Sequence, residues 1–156
     1  MNRRSFLKGL LFISSIFTLK LKASRKNNVS FNYGVASGDP TNTNIMLWTK
    51  VSPIFNKNVT IKWQLSADKN FKNIINSGHV SAKYSNDYTV KVDVNVPKPF
   101  RGNKVFYRFL SNDNFSDTGI TNTLPQNDPD KYNIAFCSCS NHPAGYFNAY
   151  REMAKN

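Results

Sequence analysis

Thr89-Val90-Lys91-Val92-Asp93-Val94-Asn95-Val96 decides the fold. Valine at every second position makes one apolar face and leaves Thr89, Lys91, Asp93 and Asn95 on the other, which is the period of a half-buried strand and not of a helix. The same period recurs on either side. Upstream, Ile45, Leu47, Thr49 and Val51 alternate with Met46, Trp48 and Lys50, and Val59, Ile61, Trp63 and Leu65 alternate with Thr60, Lys62 and Gln64. Downstream, beyond the turn Pro97-Lys98-Pro99-Phe100-Arg101-Gly102, Val105, Tyr107 and Phe109 share one face of Lys104–Leu110.

Three weaker segments complete the set. A first strand is expected over Ser30–Ser37, closed by Gly38-Asp39-Pro40, where glycine is permissive and proline ends the ladder. A further strand is expected over Ile74–Lys83, after a loop at Asp68–Asn70, and a short edge strand over Gly119–Thr123. Seven or so strands with turn signals about every ten residues predict a mainly-β chain. The expected architecture is a fibronectin type III or immunoglobulin-like antiparallel β-sandwich spanning 29–124. Within it Trp48 and Trp63 are expected in the core or between the sheets. Tyr107 is a candidate tyrosine-corner residue, its hydroxyl bonding back to backbone. His79 has no second ligand type beside it and reads as a surface histidine. Asp39 reads as a turn residue, since Pro40 follows it directly.

Pro125, Asn127, Asp128 and Pro129 mark residues 125–131 as a linker. Beyond it, Ile134–Cys137 is expected as a short buried strand, Ser138–Asn141 as a polar loop and the residues from near Ala144 as a helix. Strand, loop and helix in that order present reactive groups at the carboxyl end of a sheet, so 132–156 reads as the start of an α/β domain. Cys137 and Cys139 are too close along a strand end to bridge without strain. Cys137 is expected as a buried thiol under the sheet, and Cys139 falls in the loop.

With 40% hydrophobic and 13% aromatic residues, the 156-residue chain has the material for a core, which excludes disorder. The formal net charge of +12 raises a nucleic-acid or anionic-membrane hypothesis, but six of the 21 basic residues lie within the first 25 positions. The rest are scattered singly, as on a solvated strand face, and no nucleic-acid partner is expected. At the amino terminus Arg3-Arg4-Ser5-Phe6-Leu7-Lys8 precedes an apolar run, Gly9 to Leu19, that is too short to span a membrane unaided. Residues 1–25 therefore read as a twin-arginine signal, implying the twin-arginine export machinery as partner and a periplasmic or secreted destination. Cleavage after Ala23 and retention as a membrane anchor both remain open.

Taken together, several motifs carry a resemblance. They are Tyr33-Gly34-Val35-Ala36-Ser37-Gly38-Asp39-Pro40, Ile45-Met46-Leu47-Trp48-Thr49, Tyr107-Arg108-Phe109, Phe136-x-Ser138-Cys139 and Gly145-Tyr146-Phe147-x-Ala149-Tyr150-Arg151. With the twin-arginine leader in front, the chain resembles the PhoD-like alkaline phosphatases along essentially its whole length. The resemblance implies an exported metal-dependent phosphomonoesterase and phosphodiesterase acting on phosphate esters. It further implies a fibronectin-like amino-terminal domain followed by a metallophosphatase domain with an iron and calcium site, in which Cys139 supplies a thiolate to ferric iron. The family's other metal ligands lie in Asp-x-His, Gly-Asn-His and Gly-Asp-x-x-Tyr motifs that this sequence does not contain. The expectation is thus an amino-terminal, apparently truncated portion, inactive alone, with Cys139 its one candidate metal ligand and no catalytic or cofactor-binding residue assigned. The rival expectation is an exported β-sandwich that binds glycan or protein through Trp48, Trp63 or an edge strand.

Overall fold

The computed structural model describes residues 29–54, 56–127, 131, 133–138, 141, 143 and 145–155. The expected signal segment at 1–25 lies outside them, as do Asp128, Pro129, Cys139 and the start of the expected helix at Ala144. Ten strands run in the order β1 (Val29–Ser30), β2 (Val35–Gly38), β3 (Asn44–Lys50), β4 (Ser52–Pro53), β5 (Val59–Ser66), β6 (Ile74–Ala82), β7 (Thr89–Asn95), β8 (Val105–Ser111), β9 (Asn114–Phe115) and β10 (Gly119–Thr121). Among the described residues one short α-helix, α1 (Asn148–Met153), follows.

The chain is mainly β and antiparallel throughout. One sheet has the order β2-β3-β7, the other the order β10-β8-β5-β6 with β9 added to β8, and β1 and β4 form a small pair of their own. The alternation sets which face goes inside. Ile45, Leu47, Val90 and Val94 from the first sheet and Ile61, Trp63, Leu65, Val105, Tyr107 and Phe109 from the second meet in one buried cluster. Each fully buried aliphatic or phenylalanine side chain there contributes about 1.5–3 kcal/mol. Thr49 is a polar residue on the inner face, and it is satisfied because its hydroxyl donates to the Gly34 carbonyl at 2.8 Å.

Four expectations change on contact with the structure. The strand anticipated over Ser30–Ser37 is two strands in different sheets, because Gly34 at φ +71 turns the chain between β1 and β2. The segment rated weaker, β6, is the longest strand at nine residues. Trp63 is buried at 8% exposure, but Trp48 is 45% exposed and points out of the sandwich, as its register with Ala36 and Lys91 on the outer face requires. Tyr107 is buried, and its hydroxyl faces the side chain of Ser37 on the opposite sheet, where a tyrosine corner would have bonded local backbone.

The end of the module is fastened down. Thr123 is fully buried and its hydroxyl accepts from the Gly102 amide at 2.6 Å, while the Leu124 amide donates to the Thr41 carbonyl at 2.9 Å. Gln126 Nε2 then donates to the Asn42 carbonyl at 2.8 Å. The first residues of the expected linker are therefore held against the loop between β2 and β3. Past them the expected strand does not form: residues 133–138 are irregular, with Ile134 at 85% and Phe136 at 88% exposure. A strand exists only where a neighbour completes its ladder, and no described strand lies beside this segment.

Candidate functional site

The anticipated site is the cysteine loop. Cys137 is a free thiol, half-buried at the end of an irregular stretch, and it lacks the covering sheet that was to enclose it. Cys139 lies outside the described residues. Phe147, just before helix α1, and Tyr150 within it are in a tilted ring contact at 5.5 Å, with Arg151 bonded to Asn148 and Lys155 to Glu152. A six-residue helix draws little from its own hydrogen bonds.

Elsewhere the potential ligands are dispersed, and Asp68, Asp93 and Asp87 are already engaged. Asp68 accepts from the amides of Asn73 at 2.7 Å, Asn70 at 2.9 Å and Lys72 at 3.3 Å, and from the Ser66 hydroxyl at 3.2 Å. These donors, the Asn73 amide first, hold its carboxyl below the usual carboxylate range, so it closes the β5–β6 loop and has no lone pairs spare for a cation. Asp93 accepts from Asn44 at 3.0 Å, and Asp87 pairs with Lys50, whose ammonium also lies 4.8 Å from the centre of the Tyr33 ring. Asp39 sits exposed in a turn at φ +46, and His79 is exposed on β6. Among the described residues no three of His, Cys, Asp and Glu are grouped so as to hold a metal ion. The described residues therefore do not fit an iron and calcium pair, which needs several converging oxygen and nitrogen donors.

What the sandwich does present is surface relief around Trp48. Two shallow grooves flank its ring on the outer face of the β2-β3-β7 sheet. One is lined by Tyr33, Gly34 and Lys50, the other by Ser37, Gly38, Asp39, Met46 and Lys91. Lys91 places its ammonium 5.9 Å from the Trp48 ring centre. A second feature is Arg108. Its guanidinium lies 3.9 Å from the centre of the Phe71 ring and 4.5 Å from that of Phe115, and its Nε donates to Gln64 Oε1 at 2.8 Å. Burial pushes the guanidinium pKa down, although it stays charged. Sequence reading named Trp48 only as a core aromatic or, in the rival reading, a binding residue, and gave Arg108 no role. The signal available was alternation itself, which puts Trp48 on the face opposite Leu47 and Arg108 on the face opposite Tyr107.

Comparison with known proteins sets these features in a family. The family described as PhoD-like phosphatase, N-terminal domain, matches residues 18–125. Alkaline phosphatase D of Bacillus subtilis (strain 168) is 34% identical over 159 residues, covering 94% of this chain and 27% of that protein. A solved structure described as a structure of PhoD superposes with a TM-score of 0.69 at 33% identity, over 81% of this chain and 26% of the other. The chain spans about a quarter of the length of the relatives it matches.

Proposed function

The chain belongs to the PhoD-like phosphatases, and from that premise we propose that it is the amino-terminal, non-catalytic part of an exported phosphatase and phosphodiesterase of the alkaline phosphatase D type. The observation that carries this reading is the match of residues 18–125 to the family's N-terminal domain. The strand orders β2-β3-β7 and β10-β8-β5-β6 support a fibronectin type III-like sandwich, with 125–131 as linker and 132–156 as the opening of a metallophosphatase domain. Arg3-Arg4 and the apolar run behind it support twin-arginine export to the periplasm or beyond. Among the described residues no helix is long and apolar enough to cross a membrane. The rival reading as a binding module loses Trp63, which is buried.

In this reading the sandwich is scaffold. The phosphate-ester chemistry, with its iron and calcium, belongs to sequence of the kind the relatives carry beyond the matched quarter, and Cys139 is the one residue of this chain assigned to ferric iron. A thiolate is the metal-binding form of cysteine and a soft donor that serine does not replace. Two experiments test the reading. The purified 156-residue chain, supplied with iron and calcium, is expected to leave p-nitrophenyl phosphate hydrolysis at the buffer rate, and turnover that follows the protein through purification would overturn the scaffold role. In a chain that includes the metallophosphatase portion, Cys139→Ser is expected to lose iron and Cys137→Ala to keep it, read as iron per chain. Full iron retention in Cys139→Ser would remove that residue from the metal site.

A further inference from the structure

We propose that the free edge of β6 is a self-association surface, on which a second copy of the chain pairs its own β6 antiparallel about a two-fold axis at Val80. Which backbone groups are free follows from the alternation of the ladders. The Phe109 amide donates to Ser116 Oγ and the Ser116 amide to the Phe109 carbonyl, both at 2.9 Å, so Phe109 turns its polar backbone away from β5. Directions alternate along each antiparallel strand, so the backbone of Arg108 pairs with Gln64 and that of Trp63 with Gly78, and Ser77, His79 and Ser81 face outward from β6. The Ser77 amide agrees, since it bonds the Asn76 side chain at 2.8 Å. Among the described residues, the amides and carbonyls of His79 and Ser81 have no partner.

The other described edges are blunted, and this one is not. Strands β1, β4 and β9 have two residues each, β10 three and β2 four. Strand β7 is longer, but the Val96 amide donates to the Thr43 carbonyl at 2.8 Å, so its outward residues are Lys91, Asp93 and Asn95. Two of these are charged, and the Asn95 carbonyl is taken by Asn76 Nδ2 at 2.7 Å. Strand β6 has nine residues and no Lys, Arg, Asp, Glu or Pro, and its register shift, opposite Leu65/Ser66, leaves Asn76–Ala82 regular. A groove lined by Val80, Ser81, Thr89, Val90 and Lys91 keeps the stretch uncovered.

The occupant follows from the chemistry of an edge. Apolar side chains reach solvent on both outer faces, Met46 and Trp48 on one and Phe106, Leu110, Phe115 and Ile120 on the other, but such a face accepts any apolar cover. Amides and carbonyls two residues apart are matched by another extended backbone, and the long uncharged one on this chain is β6 itself. With Val80 on the axis, His79 of each copy lies opposite Ser81 of the other, and the free groups of both residues are all bonded. The contact is isologous and small, so the dimer is weak and builds with concentration.

Sedimentation and residue-resolved amide exchange of the 156-residue chain, over a series of rising concentrations, test this. The His79 and Ser81 amides are expected to exchange several-fold more slowly as dimer forms, with those of Lys91 and Asp93 unchanged. Ser81→Pro removes an amide that points away from β5, so it is expected to abolish the dimer and keep the unfolding temperature. His79→Lys sets like charges on the two facing edges and is expected to weaken association several-fold with the β5–β6 ladder intact. Should the proline variant fail to fold, the lysine variant carries the test. A chain that stays monomeric throughout, a dimer protected at Lys91 and Asp93 or at Phe115 and Ile120, or a dimer that both variants leave unchanged would overturn the proposal. Slow exchange at His79 and Ser81 that is independent of concentration would assign the edge to a segment of the same chain and overturn it as well. The family reading stands in every case.

Discussion

Tyr107 and Gly119 stand opposite each other across β8 and β10, and a Cβ on Gly119 would fall 2.1 Å from Tyr107 Cζ. The ring occupies the space that any side chain at 119 would need, and its hydroxyl faces Ser37 in the facing sheet. One glycine in an edge strand thereby makes the room in which the Tyr107 ring is buried.

Gly119→Ala is therefore expected to destabilise the module by about 1–3 kcal/mol through overpacking, more than the gain of about 0.4–1 kcal/mol from a stiffer unfolded chain. Tyr107→Phe, which keeps the ring and drops only the hydroxyl, is expected to cost less than Gly119→Ala, at most about 1 kcal/mol. Urea midpoints followed by tryptophan fluorescence measure both. An alanine variant as stable as wild type would show that the ring does not lie over Gly119.

The two tryptophans separate by experiment as they do by position. Trp63 packs so tightly on Gly78 that a Cβ there would come within 2.7 Å of its Cζ2, so Trp63→Ala is expected to cost about 3–5 kcal/mol. Trp48→Ala, at an exposed position, is expected to stay within about 0.5 kcal/mol of wild type. Acrylamide is expected to quench the Trp63→Phe variant, which retains Trp48, more strongly than the Trp48→Phe variant. The reverse order would exchange the two assignments.

Strands β3, β5, β7 and β8 were legible because each turns an alternating row of apolar, mostly β-branched or aromatic residues toward the core. Strand β6 was harder to read, since Asn76, Ser77 and Gly78 interrupt its pattern, and Gly78 is there to admit Trp63 from the neighbouring strand, a reason that is invisible along the sequence. The break between β1 and β2 was hidden for a similar cause: it depends on a positive φ at Gly34, which a glycine permits without announcing. The site was least legible. Ile134 and Phe136 have the apolar content of a buried strand, but content does not supply a partner, and among the described residues none is beside them. Alternation places Trp48 and Arg108 on outer faces, but the neighbours that surround them, Lys91 beside Trp48 and Phe71 and Phe115 beside Arg108, come from other strands and loops.

Asp68 gives the module an acid-sensitive loop. Its folded pKa is lowered, chiefly by the Asn73 amide, so its carboxylate contributes stability that is fully present above the unfolded value of about 3.9 and is lost as pH falls through the folded value. Replacing it with asparagine is expected to lower the urea midpoint at pH 7. The gap from wild type is expected to narrow below about pH 4 as the native carboxyl takes up its proton. A gap that stays constant from pH 7 down to pH 2 would mean that the charge on Asp68 does not hold the loop.

Arg108 offers the last test, because its partners distinguish shape from charge. The guanidinium lies between the rings of Phe71 and Phe115, and Phe71 holds a left-handed φ of +56 in the loop that Asp68 closes. A planar cation stacks on both rings at once and still directs Nε at Gln64, whereas an ammonium is a point charge that meets one ring at most. Arg108→Lys is therefore expected to cost about 1–2 kcal/mol despite the conserved charge, since stacked and desolvated contacts of this kind are worth about 0.5–2 kcal/mol each. Phe115→Ala is expected to remove part of that difference, so that the lysine substitution costs less in its background than in wild type. A double-mutant cycle on urea midpoints measures the coupling, and a coupling of zero would show that the ring of Phe115 contributes nothing to holding the arginine.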